Sequence, residues 1–132
     1  MKIKTVSDLM WYVAEVPMSQ RNVSNFDVDG ITVHHVTTTE NAAMIRKSGF
    51  TARNSRQSCD RPDAVYFFVD TADINAENLG ILGLNADYAM ITVRIPIADF
   101  VKNVKWDGLF NATFSSYSAI QFLGNVPATW IV

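Results

Sequence analysis

Residues 30–50 read GITVHHVTTTENAAMIRKSGF, and this stretch decides the fold that the sequence predicts. Residues 31–36 alternate β-branched residues with others after a turn glycine, which favours a strand of about six residues. Thr38 or Thr39 can cap a following helix through its hydroxyl, and Gly49 is placed to end that helix. The stretch therefore predicts a strand, a capped helix and a glycine stop. Four residues are expected to form the apolar face of the helix: Ala42, Ala43, Met44 and Ile45.

Two histidines, His34 and His35, lie near the end of the predicted strand. Successive side chains of a strand point to opposite faces, so the two rings cannot enter one site together. With the single cysteine of the chain, Cys59, they make a weak zinc-binding set, and we predict no metal site. A nucleophilic Cys59 paired with His35 has no supporting motif around it.

Further elements are predicted on both sides of this stretch. Helical spacing predicts a helix over 5–16, a short helix over 70–79 capped by Asp70 or Thr71, and one helical turn over 98–101. β-prone runs predict strands over 64–69, 88–95 and 119–123. Residues 17–30 read as a loop, residues 111–118 as a polar segment, and residues 115–118 within it as a loop with capping hydroxyls. The sum is an α+β domain with several short strands and few helices.

Composition bounds the class of protein. A chain of 132 residues with 48% hydrophobic content can bury one continuous core. We therefore expect one domain over 1–132, in which an N-terminal helix and loop over 1–29 precede a motif-bearing core over 30–132. The net charge of −2 gives no global basic footprint of a dedicated nucleic-acid-binding protein.

The same counts bear on location. A single cysteine excludes an intramolecular disulfide and is typical of a reducing compartment. No run approaches the roughly 18 apolar residues of a membrane span, and residues 1–10 lack the apolar core of a signal peptide. We expect a cytoplasmic protein without a membrane partner, and the sequence leaves its oligomeric state open.

Residues 33–50 resemble the opening motif of the ADP-ribosyltransferase superfamily, in the branch with a His-Tyr-Glu triad. In that branch a strand ends in H-x-T and is followed by E-N-A, an isoleucine and G-F. The matching residues here are His35 and Thr37, then Glu40, Asn41 and Ala42, then Ile45, Gly49 and Phe50. A second match is residues 64–67, AVYF, where the family places a strand with an aromatic residue. Residues 121–127, QFLGNVP, are similar to the closing E-x-L-x-x-G-x-I-P motif.

The resemblance implies a split β-sheet with a few short helices around an NAD cleft. It implies that His35 hydrogen-bonds the ribose on the adenosine side of NAD, supported by Thr37, and that Tyr66 stacks on the nicotinamide ring. Arg53 and Arg56 fall in a loop where a pyrophosphate or an acceptor is gripped, although a solvated loop explains them equally well. His34 is expected to face the other way and pack.

The closing motif departs from the family, because Gln121 stands where the family has its glutamate. An amide brings no negative charge to a developing oxocarbenium-like cation and accepts no proton as a carboxylate does. Asp107 is the nearest acidic residue that can substitute. Three alternatives stay open: the acceptor supplies its own base, the motif is misaligned, or the domain does not turn NAD over.

The resemblance implies that NAD is a substrate and that the chain is a mono-ADP-ribosyltransferase acting on a macromolecule. The acceptor is a protein side chain or a nucleic acid, and the sequence does not choose between them. One alternative is a catalytically silent module that binds NAD, ADP-ribose or a nucleic-acid end. The other is an interaction domain with an unused cleft.

Overall fold

A computed structural model of the chain describes residues 2–52 and 64–132. Within these residues the protein is α+β, with one antiparallel sheet and several short helices, as the sequence predicts. The strands are β1 Gly30–Thr37, β2 Ala64–Phe68, β3 Ala89–Pro96, β4 Val104–Trp106 and β5 Ala119–Leu123. The helices are α1 Val6–Glu15, α2 Thr39–Ser48, α3 Ala76–Ile81, α4 Ile97–Asn103 and α5 Gly108–Thr113.

The sheet has the order β3-β1-β2-β5-β4, and its junctions differ in extent. β1 and β3 share eight register pairs, which run from Gly30 with Pro96 to Thr37 with Ala89. β2 and β5 share five pairs. β1 and β2, at the centre of the sheet, register at a single pair, His34 with Phe68. The middle of the sheet is therefore its least paired part.

Each face of the sheet carries its own apolar cluster, because neighbouring side chains on a strand point opposite ways. Phe67 belongs to the larger cluster, whose fully buried members include Val33, Ile91 and Val93. Phe68 belongs to the smaller cluster. The smaller cluster also contains Phe110, Phe114 and Ala119, with Tyr66 and Val36 packed against it. The two clusters hold the sheet between layers of short helices.

The helix α2 begins and ends as the sequence predicts, but its apolar face is smaller. The Thr38 hydroxyl caps it by accepting a hydrogen bond from the Asn41 amide, and Gly49 ends it with φ of 82°. Ala42 is buried, whereas Met44 is 63% exposed. The predicted four-residue face is wrong because α2 packs along one edge, against β3 and the 3-10 turn Ala128–Trp130.

The region after β2 corrects a second prediction. The single helix predicted over 70–79 is two elements, a 3-10 turn Thr71–Asp73 and the helix α3. Each has its own cap, since Asp70 accepts from the Ala72 amide and Asn75 accepts from the Asn78 amide. The capping side chain of Asn75 starts a new helix, so the predicted helix over 70–79 is divided in two.

The polar segment 111–118 is the end of a helix followed by a loop, and the loop covers the predicted Ser115–Ser118. α5 covers its first part, and Asn111 and Ser118 are buried. The Ser118 hydroxyl donates to the Asp73 carboxylate at 2.6 Å and accepts from the Asp70 amide at 2.9 Å. These polar residues are buried because their hydrogen bonds are made inside the fold.

Candidate functional site

A cavity of about 320 Å³ opens beside the junction of β1 and β2. The last residues of β1 form one wall and the residues of β2 form another. The rest comes from Asn41 of α2, from Phe110 of α5, and from Leu82 and Leu84 after α3. The cavity therefore lies where the register of the two central strands is shortest.

His35 joins the two strands where the ladder does not. Its Nδ1–H donates to the carbonyl oxygen of Tyr66 at 2.7 Å. Its ring meets Phe50 and Phe67 edge-on, with centroids 5.0 and 5.9 Å away. Because a carbonyl oxygen only accepts, Nδ1 carries the hydrogen and the neutral ring keeps a lone pair on Nε2.

The charge state of His35 follows from these surroundings. Burial lowers the pKa of His35 below its ordinary value of 6.5, and the hydrogen bond to Tyr66 opposes that effect only in part. The imidazole is therefore neutral at neutral pH. A neutral ring that lines the cavity can accept a hydrogen bond from a ligand hydroxyl.

Tyr66 lies on the other side of the cavity wall. Its ring stacks on Phe110, with centroids 5.9 Å apart and planes 14° apart. Phe110 is held by α5, whose cap is the buried carboxylate of Asp107, accepting from the Phe110 amide at 2.8 Å. Tyr66 is half-buried, so part of its ring remains available to the cavity.

Thr37 completes the set that the resemblance assigns to NAD. It ends β1, is half-buried and lines the cavity next to Thr38, the cap of α2. The structure therefore brings His35, Thr37 and Tyr66 together in one cavity. Arg53 and Arg56, the predicted grip for pyrophosphate, lie outside the described residues.

The sequence predicted that His34 faces away from His35 and packs, but His34 also lines the cavity. It is half-buried, lines the same cavity, and its Nδ1 lies 3.1 Å from the hydroxyl oxygen of Thr92 on β3. Alternation places the side chains of His34 and His35 on opposite faces of β1, yet both residues border the cavity between β1 and β2. Burial lowers the pKa of His34, and the charge of Asp70 opposes that effect.

Gln121 lies directly across from Tyr66, since the two residues are register partners on β5 and β2. It is fully buried and does not line the cavity. Asp107, the proposed acidic substitute, is also fully buried and serves as the cap of α5. No Asp or Glu lies among the described residues that line the cavity.

Sequence reasoning missed several walls of the cavity. Phe110, Leu82 and Leu84 read as ordinary apolar residues, and Thr92 as one position of an alternating strand. Their role depends on long-range packing, for which the sequence carries no local signal.

Comparisons with models of known protein families, with curated proteins and with solved structures give no match. In residues 2–52 and 64–132 no three His, Cys, Asp or Glu side chains are grouped to hold a metal ion. No helix in that part of the chain has the length and apolar content to cross a membrane.

Proposed function

We propose that the cavity binds NAD and that the chain transfers ADP-ribose from NAD to a macromolecular acceptor, a protein side chain or a nucleic acid. One observation carries this proposal. His35 and Thr37 on β1 and Tyr66 on β2, which the family resemblance assigns to NAD, line one cavity. The single register pair between β1 and β2 also agrees with the split sheet of an ADP-ribosyltransferase-like fold.

The lining suits the nicotinamide end of NAD, which carries no phosphate. It is largely aromatic and aliphatic, with a few polar groups, which is the usual make-up of a site for a small planar ligand. Tyr66 offers a ring for offset stacking on nicotinamide. The Nε2 lone pair of His35 is an acceptor for a ribose hydroxyl, and its orientation is fixed by the bond from Nδ1 to the Tyr66 carbonyl.

In the proposed reaction the bond between nicotinamide and ribose breaks, and its electron pair leaves with nicotinamide. The acceptor then bonds to the anomeric carbon and loses a proton. The positive charge that develops on the ribose is normally stabilised by a carboxylate. Gln121, to which the resemblance assigns that role, is an amide and is buried outside the cavity lining, so we expect a barrier higher by on the order of 3 kcal/mol. We therefore expect a slow reaction.

A second candidate is a silent module that binds NAD, ADP-ribose or a nucleic-acid end. The observation that favours it is the lack of a carboxylate among the described lining residues. An interaction domain with an unused cavity is the remaining alternative. Ligand binding separates this last candidate from the other two.

The first experiment is a melting curve with and without NAD. Binding to the native state stabilises it by about 2.7 kcal/mol when NAD is at 100 times its Kd. We expect the shift to fall in Tyr66→Ala and His35→Ala. Trp11→Ala is the matched control, since Trp11 is an exposed aromatic residue on α1. No shift in the parent protein contradicts NAD binding.

The second experiment measures nicotinamide release. Release from the parent protein supports transfer, and binding without release supports the silent module. Gln121→Glu adds a carboxylate at the register partner of Tyr66, so we expect faster release if that charge reaches the cavity. Because position 121 is fully buried, the melting curve of this variant must first show that it folds.

A further inference from the structure

The rim of the cavity carries a second histidine with its own partners. His34 lines the cavity, and its Nδ1 lies 3.1 Å from the Thr92 hydroxyl oxygen. When Nδ1 donates to that oxygen, Nε2 holds the lone pair and can accept a proton. In this tautomer His34 has a free Nε2 lone pair, as His35 does, but its Nδ1 partner is a hydroxyl oxygen and not the Tyr66 carbonyl.

An aspartate follows the register partner of His34 by two residues, and its carboxylate is held by two hydrogen bonds. Asp70 lies two residues beyond Phe68, the register partner of His34, at the end of β2. One carboxylate oxygen accepts from the Ala72 amide at 2.9 Å, and the other accepts from the Tyr117 hydroxyl. Chiefly because of the Tyr117 hydrogen bond, the pKa of Asp70 is lowered, so the carboxylate is charged at neutral pH.

Tyr117 keeps its proton in this arrangement. Its hydrogen bond to Asp70 raises the pKa of Tyr117 to about 12, so the hydroxyl remains a donor across the neutral range. Asp70 is therefore a fixed negative charge, and its field reaches His34. A fixed anion beside a base stabilises the cation that the base becomes on taking a proton.

We propose that His34 is the general base of the site, which takes the proton from the attacking acceptor group, and that Asp70 is the positioning residue that stabilises the resulting imidazolium. This inference rests on the proposed transfer function. It supplies a base to a cavity whose described lining has no carboxylate.

The step balances as follows. The oxygen or nitrogen of the acceptor bonds to the anomeric carbon, while the bond from that carbon to nicotinamide breaks and its electron pair leaves with nicotinamide. The proton of the acceptor moves to Nε2 of His34. Water is the simplest acceptor, and the products are then ADP-ribose, nicotinamide and a protonated His34.

Arg94 of β3 is a charged residue on the same face of the sheet as His34, and it makes its contacts elsewhere. Arg94 donates to the Thr32 hydroxyl at 3.0 Å and to Asp29 at 2.8 Å. Its charge is therefore compensated by Asp29. Asp70 is the charge that perturbs His34, and burial still leaves the imidazole neutral at neutral pH.

The test is NAD hydrolysis as a function of pH, with water as the acceptor and nicotinamide as the readout. The variants are His34→Gln and Asp70→Asn. Asp27→Asn is the matched control, since it removes one carboxylate from an exposed ion pair with Lys2. All are measured in the parent protein and in the Gln121→Glu background, and NAD binding is followed by the melting shift.

We expect His34→Gln to slow nicotinamide release by about 100-fold and to keep the melting shift with NAD. It should also abolish the fall in rate at low pH, the acid limb of the pH profile. Asp70→Asn should move the acid limb to lower pH, because removing a negative charge lowers the pKa of the base. Asp27→Asn should leave the limb in place.

Unchanged release or an unchanged acid limb in His34→Gln overturns the assignment of His34 alone. Absence of release in both the parent and Gln121→Glu backgrounds overturns it together with the transfer function. A melting shift with NAD that persists in that case still supports the silent binding module.

Discussion

β1 has two neighbours, and it pairs with them very differently. Toward β3 it registers over eight pairs, and Val33, Ile91 and Val93 are fully buried there. Toward β2 it registers at one pair, and the His35 side chain donates to a backbone carbonyl of the neighbouring strand. Backbone polar groups need partners, so a ladder can stop only where something else supplies them. At the junction of β1 and β2 the His35 side chain supplies a partner that the ladder does not, and the cavity opens beside it.

Damage to the junction of β1 with β3 should lower the free energy of unfolding more than damage to the junction of β1 with β2. Ile91 is fully buried on β3 and is the register partner of His35. Ile91→Ala removes three methyl or methylene carbons from a close-packed core, so we expect a loss of about 3 kcal/mol in the free energy of unfolding. Urea denaturation measures it. Met90→Ala is the control, since Met90 is 40% exposed and its loss should cost about 0.5 kcal/mol or less.

The stability of the junction between β1 and β2 should depend on one side chain, that of His35. His35→Ala removes the hydrogen bond to Tyr66 and the edge contacts with Phe50 and Phe67. We expect a loss of about 2 kcal/mol, less than for Ile91→Ala. Amide hydrogen exchange should quicken in β2 before it does in β3. Equal acceleration in both strands would show that His35 supports the whole sheet and not this junction.

The two junctions also differ in how far the sequence predicts them. Alternation predicts β1, and the Thr38 hydroxyl and Gly49 mark the ends of α2, because these signals act over a few residues. Gly49 has a further constraint, since a Cβ there would lie 2.5 Å from the Val126 carbonyl oxygen. The extent of pairing between β1 and β2 has no such signal, because it depends on residues far apart in the chain.

The burial of polar side chains was the second feature that the sequence did not predict. Asn111 donates to the carbonyls of Asp107 and Ala119 at 2.8 and 3.0 Å, and its oxygen accepts from Ser116 and the Ala119 amide. Arg21, in a predicted loop, donates to the Val13 carbonyl at 3.0 Å and to other carbonyls at the ends of α1 and α4. Polarity predicts exposure unless the partners are known, and tertiary structure supplies the partners.

The family resemblance named individual residues of the candidate site, but the sequence did not predict the shape of the cavity. His35, Thr37 and Tyr66, which the family resemblance assigns to one site, all line the cavity, whereas Gln121 does not. That His34 shares the cavity was not expected, because alternation assigns neighbours to opposite faces and says nothing about the edge of a strand.

The smallest effect that distinguishes the junctions is a pH dependence. The folded pKa of His35 is lowered below its ordinary value of 6.5, so the unfolded chain takes up a proton before the folded chain does. Stability is therefore complete above about pH 6.5 and falls as pH drops toward the folded pKa, by at most about 1.4 kcal/mol per pH unit for each histidine. Denaturation curves between about pH 7 and pH 5 measure this slope.

Replacing each histidine assigns the slope to a junction. The lowered pKa values of Asp8, Asp29 and Asp70 make their contributions fade only as pH falls below about the ordinary 3.8, so carboxylates disturb the range from pH 7 to 5 little. We expect His35→Gln to flatten the slope, because its buried ring can no longer resist protonation. His34→Gln should flatten it less, since Asp70 offsets part of the burial effect at His34. If His34→Gln flattens the slope more than His35→Gln does, the pH dependence of stability comes mainly from protonation of His34. His35 is then not the residue that holds β1 and β2 together.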